Sequence, residues 1–526
     1  MPKGSPQASP EEAVLALDQG SHASRACLYD HDGRLLARCE LPVATRHPAP
    51  DRVEQDPLEL ADSLQRAAEG ALARARATHP RLEVVAAGLA VQRSTLVCCE
   101  AGTLAPLLPA LSWQDRRHAG WLAGLAPAAA RVRALTGLPL SAHYGASKLR
   151  WCLENVPAVR QAARQGTLRV LPLAAWLQAR LTRSEARVDA ANASRTLLLD
   201  TARLEWSEEL LELFGLRALG LGVQALPPCV PTCGDFGTLA LAQGGTLGRN
   251  TQGPAAQGRG GVPVPLTALT GDQSAVPFAT GALAANEASL NLGTGAFLQQ
   301  PLARRPRDPS PLLGSVLGLF ADGPRYTLEG TVNGAGAAVS AFVAREALDE
   351  AAAWDALETL ADDVPLPDAL VATGGLGSPW WQAQAPTRWP EGGTPLARFA
   401  AVVDSIAVLA AVNVAEFARL GAAPTALSIA GGLSRSGFLA RRLAAFTGLP
   451  VRRLPPEATA RGAAALAMPA WGARWAMLTG AAGDADEGRG ALVPPPGGAL
   501  ATALGERFER LAAGYRALAA EAPAAS

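Results

Sequence analysis

The apolar positions of this chain fall into short runs broken by polar, glycine-containing turns, and the runs alternate between two periodicities. The stretch AVLALDQGSHASRACLYDHDGRLLARCEL (13–41) holds an apolar run, a polar turn, a second apolar run and another turn from Asp30 to Gly33. It predicts a β-hairpin at the start. Residues 56–77 carry apolar side chains at helical spacing, and LEVVAAGLAV (82–91) predicts a buried strand feeding the polar segment Gln92, Arg93, Ser94. From 149 to 216 the pattern is mostly helical, interrupted by VDAANASRTLLLD (188–200), whereas 234–262 is rich in Gly, Gln and Pro and reads as loops. From 266 on, short apolar strands end three times in Gly-rich turns, so a second unit is predicted to begin near 282. A helix over 397–419 leads to a strand that ends in Ala430-Gly431-Gly432, a helix follows, and one more is predicted near 503–520. Strand and helix alternate, so the fold class is α/β. The strand, polar glycine turn, strand pattern at Asp18 returns at Gly293, which reads as an internal duplication.

Composition narrows this picture. The chain has 526 residues, 49% hydrophobic and 18% charged, which excludes a disordered or coiled-coil protein and leaves ample chain for a large core. The expected organisation is a polar tail (1–12), a first domain (13–281), a second (282–475) and a Gly/Pro-rich segment with a helix (476–526). The 47 Lys and Arg are cancelled by 47 Asp and Glu, so no global field attracts nucleic acid or an anionic membrane surface. Seven cysteines, an odd number without metal-ligand spacing, read as reduced fillers in a reducing compartment. The start, MPKGSPQASPEE, has no apolar stretch of signal-peptide length, and no run of about 18 apolar residues occurs, so a soluble, cytoplasmic protein is expected.

Three glycine turns stand at strand ends. In Asp18-Gln19-Gly20-Ser21 a carboxylate ends a buried strand while Gly20 lets the backbone bend and aim amides and the Ser21 hydroxyl at an anion. Taken alone this is more often a plain turn than a site, and Gly293-Thr294-Gly295 is equally compatible with an ordinary hairpin turn. Together with Gly431-Gly432 they make the arrangement needed to hold a nucleoside triphosphate. Gly271-Asp272-Gln273 sets a further carboxylate after an apolar run, and a phosphoryl transferase needs one carboxylate near magnesium and another able to take a hydroxyl proton. Asp18 and Asp272 are the two candidates.

These motifs, with RVEQDPLEL (52–60), VQRSTLV (91–97), LSWQDRRHA (111–119), DAANASRTLLLD (189–200), EWSEELLELFGL (205–216), NLGTGAF (291–297), LEGTV (328–332), ATGGLGSPWW (372–381) and IAGGLSRSGFL (429–439), closely resemble in order the FGGY family of carbohydrate kinases. Within it they look most like the glycerol kinases. The resemblance implies two actin-like (ribonuclease H-like) domains with a cleft between them for ATP and a polyol. It implies Asp18 as the magnesium-associated aspartate, Ser21, His22 and Arg25 on a first phosphate loop, and Gly293, Thr294 and Gly295 on a second. Gly336, Ser340, Gly432 and Ser436 fall at nucleotide positions, Asp272 on the catalytic base and Gln273 on a substrate contact. Arg93, Ser94, Trp113, His143 and Phe297 fall on the polyol pocket, where aromatics sandwich the carbon chain.

The departures concentrate in that pocket. Ser94 stands where glycerol kinases have Glu, and His143 where they have Tyr. On the nucleotide side His22 replaces Thr, Ser340 and Ser436 replace Gln and Asn, and Ala430 replaces Asp. Outside the resemblance, Arg93 reads more readily as a surface ion-pair partner and Trp113 and Phe297 as core packing, and His22 and His143 read also as structural histidines. The expected function is ATP- and Mg2+-dependent phosphorylation of a terminal hydroxyl of a small polyol. The rivals are a ketose or longer-polyol kinase of the same family, or a nucleotide-binding sensor without transfer activity. The altered pocket suits a longer polyol, a ketose, or a substrate with an anionic group for Arg93 and His143. The expected partner is that small molecule alone, with a homo-oligomer left open.

Overall fold

The computed structural model describes residues 11–242, 261–284, 286–481 and 492–521. Most of the expected polar tail, much of the loop stretch 234–262 and parts of 476–526 lie outside the described residues. The chain divides into two compact units, Met1–Ala282 with Gly318–Pro324 and Thr459–Leu478, and Leu283–Leu317 with Arg325–Ala458 and Thr479–Ser526.

The first unit opens with β1 (Glu12–Gln19), β2 (Ala23–Tyr29), β3 (Leu35–Pro42), β4 (Arg46–Ala49) and β5 (Arg52–Gln55). It continues through β6 (Glu83–Val91), β7 (Leu96–Glu100), β8 (Ala110–Leu111) and β9 (Leu168–Pro172). Two short pairs follow, β10 (Val188–Asp189) with β13 (Cys229–Val230) and β11 (Leu199–Asp200) with β12 (Glu205–Trp206), before β14 (Thr238–Leu241) and β15 (Val262–Gly271). The main sheet runs β14-β15-β6-β1-β2-β3, and a second runs β4-β5-β8-β7-β9. β1 is buried on both faces from Ala13 onward, as a central strand flanked by helices must be. The helix Pro57–Thr78 is opened by Asp56, whose carboxylate accepts from the Leu58 amide at 2.9 Å. Its stripe Leu60, Leu64, Ala67, Ala71, Ala75 packs into the core of this sheet.

In the second unit β16 (Glu287–Leu292), β17 (Ala296–Leu302), β18 (Leu313–Phe320), β19 (Gly323–Val332), β20 (Ala426–Ala430) and β21 (Val451–Arg453) form a sheet of order β18-β19-β17-β16-β20-β21. The helix Pro395–Arg419 is the one described helix long and apolar enough to cross a membrane, and 78% of its most apolar window is buried inside the protein. It is the centre of this unit's core. Its Asp404, fully buried, meets Arg442 at 3.2 Å and Arg507 of the helix Gly498–Glu521, so charge pairing fixes the last helix.

The two sheets repeat one design. β1 pairs antiparallel with β2 and parallel with β6, β2 antiparallel with β3, and β6 parallel with β15. β16 pairs antiparallel with β17 and parallel with β20, β17 antiparallel with β19, and β20 parallel with β21. The repetition expected from Asp18 and Gly293 thus extends over five strands.

The expected block 282–475 differs from the observed division at its C-terminal end and at Gly318–Pro324. The helix Ala458–Ala467 lies on β6, so close that a Cβ at Gly88 would stand 2.2 Å from the Ala463 carbonyl oxygen. A Cβ at Gly462 would stand 1.9 Å from the Ala275 oxygen. Residues 459–478 therefore belong with the first unit, through glycine-mediated contacts that no local pattern announces.

Candidate active site

The parallel register Asp18↔Ala90, Gln19↔Val91 and Gly271↔Val91 brings the carboxyl ends of β1, β6 and β15 level. Asp18, the segment Gln92-Arg93-Ser94 and Asp272 therefore gather at one edge of the first unit's sheet, the edge where parallel α/β sheets bind ligands.

Asp272 opens a short helical turn, Asp272–Ala275, directly after β15. Its Oδ1 accepts from the Gln273 amide at 2.7 Å and lies 3.9 Å from Arg93 Nε, while its side chain stays 23% exposed. Burial pushes its pKa up, against the opposing charges of Arg93 and Arg195. A Cβ at Gly271 would stand 2.6 Å from Arg93 Cδ, so glycine is what lets Arg93 lie flat against the strand end. Ser94 holds a left-handed backbone, φ 65°, and its hydroxyl is buried without a hydrogen-bond partner.

The Ser21 hydroxyl is engaged by two side chains of the first unit. Its hydroxyl donates to Gln92 Oε1 at 2.8 Å and accepts from Trp113 Nε1 at 2.7 Å. Gln92 donates to Gln55 at 2.7 Å, and Gln55 returns to the Ser21 carbonyl at 2.8 Å, which closes a ring. The first glycine turn is thereby tied to the wall that carries Trp113. Arg25 spans two carboxylates, Asp18 at 3.0 Å and Glu40 at 3.0 Å, and His22 is exposed.

His143 meets Trp113 and Tyr144 edge-on, with ring centroids 5.5 and 5.0 Å apart. Burial, together with Arg116, Lys148, Arg195 and Arg93, holds its pKa well below the usual histidine range, so the imidazole is neutral at physiological pH. Lys148, fully buried, donates to the carbonyls of Ser112 at 2.7 Å, His143 at 2.8 Å and Ser94 at 3.4 Å. One ammonium thus ties together the three segments that carry Ser94, Trp113 and His143. Burial pulls its pKa down and Asp115 opposes this; three acceptors match the three protons of the charged form.

In the second unit the Gly293-Thr294-Gly295 turn joins β16 to β17, with Thr294 exposed. Its carbonyls accept from the first helix amides beyond, Gly336 to Gly293 at 3.0 Å and Ala337 to Thr294 at 3.1 Å. A Cβ at Gly336 would stand 2.6 Å from the Gly293 oxygen. Gly431 after β20 has φ 88°, and Gly432 opens on free space. Ser340 is exposed on the helix Ala335–Glu346, whereas the buried Ser436 donates to Glu358 at 2.8 Å and caps the helix Gly437–Thr447. Phe297 lies on β17.

Among the described residues no group of three or more His, Cys, Asp or Glu could hold a metal ion. The single buried carboxylate of Asp18, paired with Arg25 at 3.0 Å, is of the oxygen-donor type that magnesium takes, the rest of that ion's shell being phosphate oxygens and water. Gly336 and Gly431 are demanded by the close approach of the Gly293 and Leu292 carbonyls, whereas Gly432 opens on free space of the kind a phosphate chain needs beside a backbone.

The chain matches the N-terminal domain of the FGGY family of carbohydrate kinases over residues 13–266 and its C-terminal domain over 288–471. It belongs to that family. It is 35% identical over 475 residues to a glycerol kinase of Symbiobacterium thermophilum, covering 86% of this chain and 89% of the relative. With a glycerol kinase of Thermus brockianus the identity is 36% over 462 residues, covering 86% and 88%. Its fold is similar to a Plasmodium falciparum glycerol kinase with ADP, at TM-score 0.80 and 20% identity over 98% of this chain and 99% of that one. A Brucella ovis xylulose kinase gives TM-score 0.78 at 23% identity, over 97% and 99%. This FGGY kinase is a two-domain actin-like phosphotransferase whose acceptor is an alcohol group of a small molecule, and kinases of this family use ATP.

Several residues around the site were not singled out from sequence. Gln55, Gln92, Arg116 and Arg195 fall within the motifs and Lys148 outside them, and only the folded contacts give them roles.

Proposed function

We propose that this kinase transfers the γ-phosphoryl group of ATP to a terminal hydroxyl of a small polyol or related sugar, with Asp272 as general base. The observation that carries the reading is Asp272 at the end of β15, its carboxylate raised in pKa by burial yet restrained by Arg93. A carboxylate whose proton affinity is raised by burial is a better proton acceptor than a free one. Asp272 takes the hydroxyl proton as the oxygen bonds to the γ-phosphorus, and the bond from that phosphorus to the bridging oxygen of ADP breaks. Arg93 holds the departing proton's carboxylate in place and faces the acceptor. Mg2+, when bound with ATP near Asp18, supplies charge neutralisation of the phosphates.

The curated relatives are glycerol kinases, which brings glycerol forward as a substrate. Ser94 weighs against it, because a short neutral group cannot accept two strong hydrogen bonds from the substrate while balancing Arg93. A longer polyol or a ketose is the better fit. Coupled ADP release across glycerol, tetritols, pentitols, hexitols and ketoses, with Asp272→Asn as control, tests the proposal. Stoichiometric ADP formation dependent on one acceptor supports it, and acceptor-independent ATP turnover that survives in Asp272→Asn overturns it.

A further inference from the structure

A groove of about 1130 Å³ opens in the first unit between β9, the end of the helix Leu173–Thr182, β12 and the approach to β13. None of the residues proposed for the acceptor or the nucleotide lines it. Three arginines do: Arg169 on β9, Arg180 in the last turn of that helix, and Arg183, which caps it on a left-handed backbone, φ 55°. Arg180 and Arg183 are exposed and Arg169 is half-buried. Among the described residues none of the three stands in an ion pair, and the one side-chain hydrogen bond they give runs from Arg169 Nη1 to the Leu168 carbonyl at 3.1 Å. Two carboxylates share the lining, Glu185 and Glu205, and Arg203, outside it, lies 3.6 Å from Glu205. The groove thus holds three cations against two acids, with most of its guanidinium donors uncommitted.

Much of the remaining lining is apolar. Leu171 and Leu226 are buried, and Leu104, Leu204 and Trp206 are half-buried. The Trp206 indole N–H is already given to the Pro227 carbonyl at 2.7 Å, which leaves its ring surface for contact. Leu104 and Leu204 hold left-handed backbones, φ 57° and 58°. Bulky side chains rarely take that conformation, and strain of this kind gathers at binding sites. A guanidinium is a planar fork of donors that matches phosphate oxygens, so three of them beside apolar lining suit a ligand with an anionic head and an apolar body. A phosphate monoester, with about two charges and three terminal oxygens, uses more of those donors than a carboxylate can.

We propose that this groove binds a phosphate monoester of a small organic molecule, its phosphate among Arg169, Arg180 and Arg183 and its body against Trp206 and the leucines. The site is separate from phosphoryl transfer and stands whichever acceptor the kinase uses. Its walls lead inward. Arg169 pairs with Cys99 of β7, and Cys229 of the lining pairs with Val188, next to the Asp189 that caps the helix delivering Arg195.

The test uses the intact chain with Mg2+ and saturating ADP, so that the nucleotide site is filled, and three probes. Phenyl phosphate has both parts, inorganic phosphate lacks the body, and phenol lacks the phosphate. By calorimetry phenyl phosphate should bind at least tenfold tighter than either fragment, with an affinity that falls as salt rises. Arg180→Gln combined with Arg183→Asn removes two charges at exposed positions, and Asn tolerates the left-handed backbone. In that double variant the affinity should drop tenfold or more. Hydrogen exchange should show phenyl phosphate slowing the amides of β9 and β13 in the unaltered chain and not in the double variant. Inorganic phosphate bound as tightly as the ester would mean an adventitious ion only and overturn the proposal. Absence of ester binding would overturn it too, as would ester binding that the double variant leaves intact, because the ester would then sit elsewhere.

Discussion

The indole N–H of Trp113 rests on the Ser21 hydroxyl at 2.7 Å, and that hydroxyl gives its own proton to Gln92 at 2.8 Å. A hydroxyl has one proton to give, so Ser21 binds the glycine turn after β1 to the segment that carries Trp113, the proposed acceptor wall. Ser21→Ala removes the acceptor of Trp113 and the donor to Gln92 together. The acceptor KM should rise about tenfold, from about 1 to 1.5 kcal/mol of lost hydrogen bonding, and the KM for ATP should move less. Steady-state kinetics with both substrates varied decides this. A change confined to ATP would restore Ser21 to a purely phosphate-binding role.

Asp272 gives a pH prediction whose sign is fixed by its neighbours. The base works ionised, so kcat/KM falls as pH drops through its pKa, which burial sets above the ordinary aspartate value. Arg93 opposes that rise; neutralising it in Arg93→Met lets the pKa climb further. The acidic limb of the pH profile should therefore shift to higher pH in Arg93→Met, alongside a loss of activity. Asp272→Asn should lower kcat by about two to four orders of magnitude with ATP affinity nearly unchanged. An unshifted limb in Arg93→Met would separate Arg93 from the base.

Much of this was legible in the chain because it is local. The run that became β1, the strand at 83–91 and the helix expected over 56–77 are set by periodicity and by the Asp56 cap. Asp18, Asp272 and the glycine turns stand out because strand-end carboxylates and the glycines that follow strands leave marks within a few residues. Lys148 leaves none: its partners Ser94, Ser112 and His143 are brought together only by the fold. The same holds for Gly88 beneath Ala463, which assigns 459–478 to the first unit, and for Ser436, engaged by Glu358 from 78 residues away. Ser94 lies between: its identity departs from the family pattern in the sequence, but its left-handed backbone and unpartnered hydroxyl are facts of the fold alone.

Lys148 is a positioning residue with a measurable signature. Lys148→Met keeps the aliphatic stem and strands three carbonyls, each costing about 1 to 3 kcal/mol when unsatisfied, though water entry would recover part. The melting temperature should drop by several degrees. The acceptor KM should rise more than kcat falls, since the segments of Ser94, Trp113 and His143 shape the pocket without touching the transferred group. Lys148→Arg, which keeps charge and donors, should recover part of the affinity. A variant with normal acceptor KM and lowered stability alone would reduce Lys148 to a structural group.

Asp189 ties stability to pH. It is fully buried, its Oδ2 caps the helix Ala190–Ser194 through the amides of Ala191 and Asn192 at 3.0 and 3.3 Å, and its Oδ1 accepts from the Asn192 side chain at 2.6 Å. That helix delivers Arg195, whose charge reaches Asp272 and His143. Burial outweighs these hydrogen bonds and pushes the Asp189 pKa up to about 6. A carboxyl whose folded pKa exceeds its unfolded value favours the fold fully below about pH 4 and loses that contribution as pH rises through about 6. The span corresponds to about 3 kcal/mol. Asp189→Asn keeps the cap acceptor and does not ionise, so it lacks this dependence. Measured by denaturant titration at pH 7 and pH 4.5, the stability of Asp189→Asn relative to the unaltered protein should be higher at pH 7. A relative stability that instead increases toward pH 4.5 would mean that the buried carboxylate is stabilised by its hydrogen bonds after all.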